Sequence, residues 1–238
     1  MTINIQNDSL NTPSHILKTI SSLPIGTGFL AFRDIGTIID QYIKGVKALD
    51  FGCGAGRSSR LLKEHGLNVI GVDTSVDMIN QARNISKGIK YILIEKNFFK
   101  NIDDQFDLIF VSFVLMELSS TQEITMLINN LSSLLAENGK IILIVASDDL
   151  YNSNWLSIDT RSCANSVKHS GDIISVYLKD YEVTVNDYFW KESDCEECFK
   201  QSNMVLLEKL KPLGLPSDEK IWVDEYDKSP FVIYILSK

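Results

Sequence analysis

Ala48-Leu49-Asp50-Phe51-Gly52-Cys53-Gly54-Ala55-Gly56-Arg57 joins a buried strand, a carboxylate and three alternate glycines at one turn. Val46 to Leu49 read as the end of a strand, and Gly56 to Lys63 as the start of a helix closed by Gly66. Glycine lets the backbone take positive φ and approach a ligand closely, so a strand, turn and helix with this spacing suggest a nucleotide-like ligand lying on the turn.

Two departures from the dinucleotide fingerprint decide which ligand. That fingerprint places its third glycine three residues after the second, where it supports close helix–strand packing; here Arg57 holds that place and Gly56 comes one residue early. Asp50, two residues before the first glycine, would repel a pyrophosphate but welcome an ammonium group. S-adenosylmethionine carries an ammonium on its methionine end and no phosphate, so Asp50 favours it over NAD or FAD.

From these residues onward the chain resembles the class I S-adenosylmethionine-dependent methyltransferases, whose first motif ends a strand with Asp or Glu before Gly-x-Gly-x-Gly. Asn68 to Asp73 is similar to the second strand of that family, and the resemblance implies that Asp73 accepts both ribose hydroxyls. Its separation from the first glycine, about 20 residues, fits either cofactor. Thr74-Ser75-Val76-Asp77-Met78 resembles the turn in which Met78 packs on adenine. Tyr91 to Asn97 reads as a third strand; the family counterpart ends in an Asp bonded to the adenine amino group, and here Asn97 offers an amide oxygen, with Phe98 as an apolar wall and Glu95 as a rival. Phe106 to Ser112 reads as the fourth strand, and Phe113 to Leu118 resembles the segment that covers the methionine portion. The implied cofactor set is Arg33, Asp50, Gly52, Cys53, Gly54, Gly56, Asp73, Thr74, Met78, Asn97, Phe98, Ser112 and Phe113.

Ser120 to Glu123 is a capping box, Glu137-Asn138-Gly139 closes the helix that it starts, and Lys140 to Ala146 is a fifth strand. The expected fold is α/β: a Rossmann-like, seven-stranded, mostly parallel sheet in the order 3-2-1-4-5-7-6. Its last strand is antiparallel, helices cover both faces, and a β-hairpin cap is inserted after strand 5. One domain is expected, with a helical lead over 1–45, a cofactor-binding core over 46–146, the cap over 147–192 and a C-terminal helix and strands over 193–238. Within the lead, Ser14 to Leu23 and Leu30 to Lys44 have helical spacing. Arg33 could pair with the cofactor's carboxylate, its fork matching two oxygens, or with Asp34 or Asp40 on the surface.

Residues 147–192 exceed an ordinary connection of about 4–6 residues, so they suggest a subdomain. Asp172 to Leu178 and Glu182 to Phe189 read as its hairpin. The segment holds Tyr151, Trp155, Tyr177, Tyr188, Phe189 and Trp190, which form either an aromatic wall for an acceptor or the packing of the hairpin on the core. His169, beside the cap, and Glu117, after the fourth strand, are the candidate general bases, although sulfonium is electrophilic enough to make a base unnecessary for some acceptors. Cys195-x-x-Cys198, with Cys163 and His169, supplies only half of a zinc signature, so no metal is expected.

Composition narrows the partners. Hydrophobic residues make up 45% and charged residues 23%, as in ordinary soluble domains, and the apolar runs are strand-sized, which argues against a membrane span or an export signal and for the cytoplasm. The formal net charge of −8 and the lack of a dense basic run argue against nucleic acid. The expected activity is in-line transfer of the S-adenosylmethionine methyl group to an N, O or C atom of a small molecule, by a monomer or homodimer. A nicotinamide-dependent oxidoreductase and a non-catalytic sensor or scaffold stay open as alternatives.

Overall fold

The computed structural model describes residues 24–95, 98–100, 102–160 and 168–238. The expected helix over Ser14 to Leu23, and with it His15, Asn97 and Cys163, lie outside them. A 3-10 turn, Thr27–Ala31, precedes α1 (Ile35–Tyr42), where the spacing suggested one helix over 30–44. Leu30, Ala31 and Phe32 are all buried, and a regular helix cannot turn three successive side chains to one core.

The sheet then assembles from β1 (Lys47–Phe51), α2 (Arg57–Glu64), β2 (Asn68–Asp73), α3 (Val76–Ile85), β3 (Lys90–Leu93), β4 (Phe106–Ser112), α4 (Thr121–Ser133) and β5 (Leu135–Ala146). After β6 (Ile158–Asp159), β7 (Ile173–Leu178) and β8 (Val183–Tyr188), α5 (Glu192–Gln201) leads into β9 (Val205–Leu210) and β10 (Phe231–Ser237). The seven-stranded sheet has the order β3-β2-β1-β4-β5-β10-β9, the expected one, with β10 antiparallel to both neighbours.

The central strands are apolar on both faces because helices cover both, as a parallel sheet requires. Leu108 and Phe110 of β4 join Ile35, Leu62 and Ile79 of α1, α2 and α3 in one core. Ile109 and Val111 join Ile124, Leu127, Ile128 and Leu131 of α4, and Phe199 of α5, in the other. Ser120 caps α4 by accepting from the Glu123 amide at 3.2 Å, while the Glu123 carboxylate reaches back to the Ser119 amide at 2.8 Å rather than to Ser120. Strand β5 begins five residues before Lys140: Leu135 pairs with Phe106, the register then shifts, and Gly139 lies where a Cβ would stand 2.5 Å from the Phe106 carbonyl.

Strands β6, β7 and β8 form a separate antiparallel sheet, so the expected hairpin carries one extra short strand. Trp155, Ile158, Ile174, Val176 and Phe189 of this segment belong to the same core as α1 and α2. Fully buried Glu225 ties it down. One of its oxygens accepts from the Thr27 hydroxyl and the Leu156 amide, both at 2.7 Å, and the other from the Val223 amide at 2.9 Å. Because the sheet reverses direction of progression between β1 and β4, a crevice opens at the carboxyl ends of these strands. Among the described residues no helix is long and apolar enough to cross a membrane.

Candidate active site

The turn after β1 holds Gly52, Gly54 and Gly56 at φ of 75°, 51° and 81°, a left-handed run that side chains with a Cβ resist. At Gly52 a Cβ would also strike Val114, 2.3 Å away. The Gly52 and Cys53 amides both donate to the Val72 carbonyl at 2.9 Å, and the Gly54 amide donates to Asp73 Oδ2 at 2.8 Å. Asp73 Oδ1 accepts from the Ser75 amide at 2.8 Å, so the carboxylate bridges the glycine turn and the start of α3 with lone pairs to spare.

These elements enclose a cleft of about 210 Å³. Gly52, Cys53 and Gly54 form one side, Asp73, Thr74 and Met78 another, and Ser112 and Phe113 a third. Glu117, a candidate base, also borders it. Ile94 lines it too, in a position that sequence reasoning assigned to Phe98. Phe98 instead packs behind, edge-on to Phe99 at 5.2 Å, while Phe99 stacks on Phe51 at 5.7 Å. Exposed Glu95 does not border the cleft, and Gly56 faces Tyr91, whose hydroxyl would lie 2.4 Å from a Cβ there.

Asp50 does not reach the cleft. Its side chain is fully buried behind the turn, where Oδ2 accepts the Ser58 hydroxyl at 2.7 Å and the Ser59 hydroxyl, both from the first turn of α2. Oδ1 has no hydrogen-bond partner among the described residues. Burial raises this carboxyl to about 6 against the two serine bonds. The ammonium contact expected from the sequence gives way to a strand-to-helix tie, because a residue two positions before the glycine still points into the sheet's packing.

Arg33 is likewise taken. Its Nε and Nη2 donate to Asp34 at 2.8 Å, and Nη1 to the Leu213 carbonyl at 2.8 Å and to Asp218 at 3.1 Å. Arg57, which the sequence presented only as a departure from a fingerprint, lines the cleft instead. Its guanidinium sits 4.7 Å from the centre of the Phe32 ring and donates to the Tyr181 hydroxyl at 3.3 Å. Burial lowers its pKa, and no carboxylate forms an ion pair with it among the described residues.

A second cavity of about 320 Å³ adjoins the cleft, and Arg57, Phe113 and Glu117 border both. Its walls are largely aliphatic, from Val176, Leu178 and Val185 of the β7–β8 hairpin with Ile158 and Phe231, and Asp187 projects into it from β8. The aromatic side chains expected to form this wall do not. Tyr151 packs edge-on to Phe189 at 5.2 Å, the Trp155 indole donates to the Leu150 carbonyl at 2.6 Å, and the Trp190 indole to the Leu118 carbonyl at 3.1 Å. Tyr188 packs on the α4–α5 core and Tyr177 points outward from β7. His169 is exposed in a turn, its amide bonded to Asp172, and borders neither cavity. Cys195 and Cys198 are buried, and among the described residues no group of His, Cys, Asp and Glu could hold a metal.

Glu117 is exposed where the two cavities meet. Burial, then the charges of Asp73 and Asp187, push it up to about 7. Burial pushes Asp187 up to about 7 as well, and it raises Asp73 against bonds from the Ser75, Gly54 and Thr74 backbone. Burial and the neighbouring Asp50 and Asp73 keep Cys53 a thiol. Asp73 offers acceptors for ribose hydroxyls, Met78 and Ile94 an apolar flank, and Arg57 a cation for a carboxylate, a set that S-adenosylmethionine fits.

Residues 48–139 match the model of a family described as a methyltransferase domain. Over this segment, which runs from β1 into β5, the chain is similar to a methyltransferase domain. An uncharacterized methyltransferase of Schizosaccharomyces pombe is 29% identical over 124 residues, covering 46% of this chain and 43% of that protein. A malonyl-[acyl-carrier protein] O-methyltransferase of Hamiltonella defensa is 28% identical over 97 residues, 41% of this chain and 36% of that protein. The match thus spans less than half the length of either curated relative. A solved S-adenosylmethionine-dependent methyltransferase of Clostridium acetobutylicum superposes with a TM-score of 0.58 at 19% identity, over 87% of this chain and 90% of that one, and shares the fold.

Two expectations follow. Asp50→Asn keeps an acceptor for the serine hydroxyls and should hold S-adenosylhomocysteine affinity within about threefold, whereas Asp50→Ala, which strands two buried donors, should lose about tenfold or more; equal losses measured by calorimetry would instead support a direct charge contact. Asp187 binds its proton more tightly folded than unfolded, so its contribution to stability falls as pH rises from about 4 to 7. Asp187→Asn should therefore raise the melting temperature at pH 8 by about 3 °C, a gain that shrinks at pH 5; no gain at pH 8 in thermal denaturation would contradict it.

Proposed function

We propose that this chain transfers a methyl group from S-adenosylmethionine to a small molecule seated in the second cavity. The observation that carries this reading is the shared wall: Arg57, Phe113 and Glu117 border the cofactor cleft and the second cavity at once. S-adenosylmethionine, when bound, supplies a methyl group on an electrophilic sulfonium. In this reading the glycine turn admits the methionine portion, and Asp73 takes the ribose hydroxyls with its remaining lone pairs. Met78 and Ile94 flank adenine. Arg57, in place of Arg33, neutralises the carboxylate, since its guanidinium is the one that faces the cleft.

The second cavity supplies position. Aliphatic walls hold the acceptor and exclude water, and bringing the attacking atom within the ~3–3.5 Å of a near-attack geometry supplies much of the acceleration without a covalent intermediate. Phe113 takes φ of 61° at the junction, a backbone state unusual for a side chain of this size, and packs edge-on to Phe231 at 5.3 Å, which fixes the ring between the two cavities. Asp50 acts through the turn, by fixing where α2 begins.

Calorimetry tests the reading. S-adenosylhomocysteine should bind one to one while NAD gives no heat, and Asp73→Ala should weaken the former by about tenfold or more, the loss of charge-assisted hydrogen bonds. NAD binding in its place, or an Asp73→Ala variant of unchanged affinity, would overturn it.

A further inference from the structure

The second cavity carries two carboxylates that pair with no cation among the described residues; Arg57, the cation in its lining, borders the cofactor cleft as well and is assigned above to the cofactor's carboxylate. Asp187 lies opposite Ile174 in the β7–β8 ladder, on the inward side with Val185, and Glu117 enters from the turn after β4. Neither side-chain carboxylate has a hydrogen bond or an ion pair among the described residues, and the Arg57 guanidinium donates to Tyr181 instead. Asp180, at the hairpin turn, adds a third carboxylate to the rim. Asp187, half-buried beside aliphatic side chains, is costly to ionise, and a cation entering between it and the exposed Glu117 offsets that cost.

We propose that the methyl acceptor is an amine with an apolar body, entering as its ammonium form and held between Glu117 and Asp187. This rests on the methyltransferase reading above. The ammonium offers up to three N–H donors to the two carboxylates, while its apolar body lies on Val176, Leu178 and Val185. Glu117 borders both cavities, so it receives the proton. R–NH3+ and the Glu117 carboxylate become R–NH2 and the carboxylic acid. The nitrogen lone pair then forms the N–C bond as the C–S bond breaks, its electrons staying on sulfur, and Glu117 releases its proton to water. Raising the Glu117 carboxyl to about 7 narrows the gap to an aliphatic ammonium at about 10, which makes that transfer easier. A carboxylate acceptor meets repulsion, and an alcohol leaves the pair of carboxylates without a cation.

Protein saturated with S-adenosylhomocysteine, titrated calorimetrically at pH 8 with 2-phenylethylamine, 2-phenylethanol and phenylacetate, tests this. The amine should bind about tenfold or more tighter than the alcohol, and phenylacetate should give no heat. Asp187→Asn and, separately, Glu117→Gln should each cut that preference to about threefold or less, with Asp187→Asn keeping wild-type affinity for S-adenosylhomocysteine. Amine binding should strengthen from pH 6 to 8. Over that range Glu117 and Asp187 gain charge; the other titratable and charged groups around them are Asp73, Asp180, Arg57 and Tyr181. An alcohol or phenylacetate that binds as tightly as the amine, a preference that survives both substitutions, or three silent titrations overturn the proposal. Loss of S-adenosylhomocysteine binding by the wild-type chain would instead remove the reading beneath it.

Discussion

The bond from the Asp50 carboxylate to the Ser58 and Ser59 hydroxyls is the constraint on which the site depends. It joins the last turn of a central strand to the first turn of α2 and leaves the five residues between them to bend through three left-handed glycines. A carboxylate at a helix N-terminus is favoured by the helix dipole, and two hydroxyl donors add to that, while full burial works against the charge. The turn so held aims the Gly54 amide at Asp73 and opens Arg57 to two cavities.

Electrostatics then separates this crevice from a dinucleotide site on a similar fold. Asp73 and Glu117 face the cleft, Asp50 lies behind it, and Asp187 stands across the second cavity. Arg57 is the cation bordering both cavities, and the carboxylates outnumber it. Such an arrangement carries a stability penalty at neutral pH, because each of these carboxyls holds its proton more tightly in the folded chain. In the proposed reading a cationic ligand offsets that penalty.

The sheet was legible because its signals are periodic and redundant. Asn68 to Asp73 and Phe106 to Ser112 are largely apolar stretches that become β2 and β4 with the expected bounds, and the alternation in Asp172 to Phe189 becomes the hairpin. Side-chain direction was harder. Asp50 and Arg33 have the right chemistry for a cofactor, but packing turns one into the fold and the ion pairs with Asp34 and Asp218 hold the other. Aromatic residues concentrate in cores as readily as in sites, and Tyr151, Trp155 and Trp190 went to the core. Two overlooked residues did leave a trace. Arg57 follows the last glycine directly, and Asp187 shares the parity of Val183 and Val185, a carboxylate on the inward face of an otherwise apolar strand.

A crystal structure of the chain with S-adenosylhomocysteine is the most direct test of the account. The ligand should lie on the glycine turn with its ribose hydroxyls on Asp73, its carboxylate toward Arg57 and its sulfur at the Phe113–Glu117 boundary, facing the second cavity. A ligand seated elsewhere, or one whose sulfur faces away from Glu117 and the hairpin cavity, would contradict it.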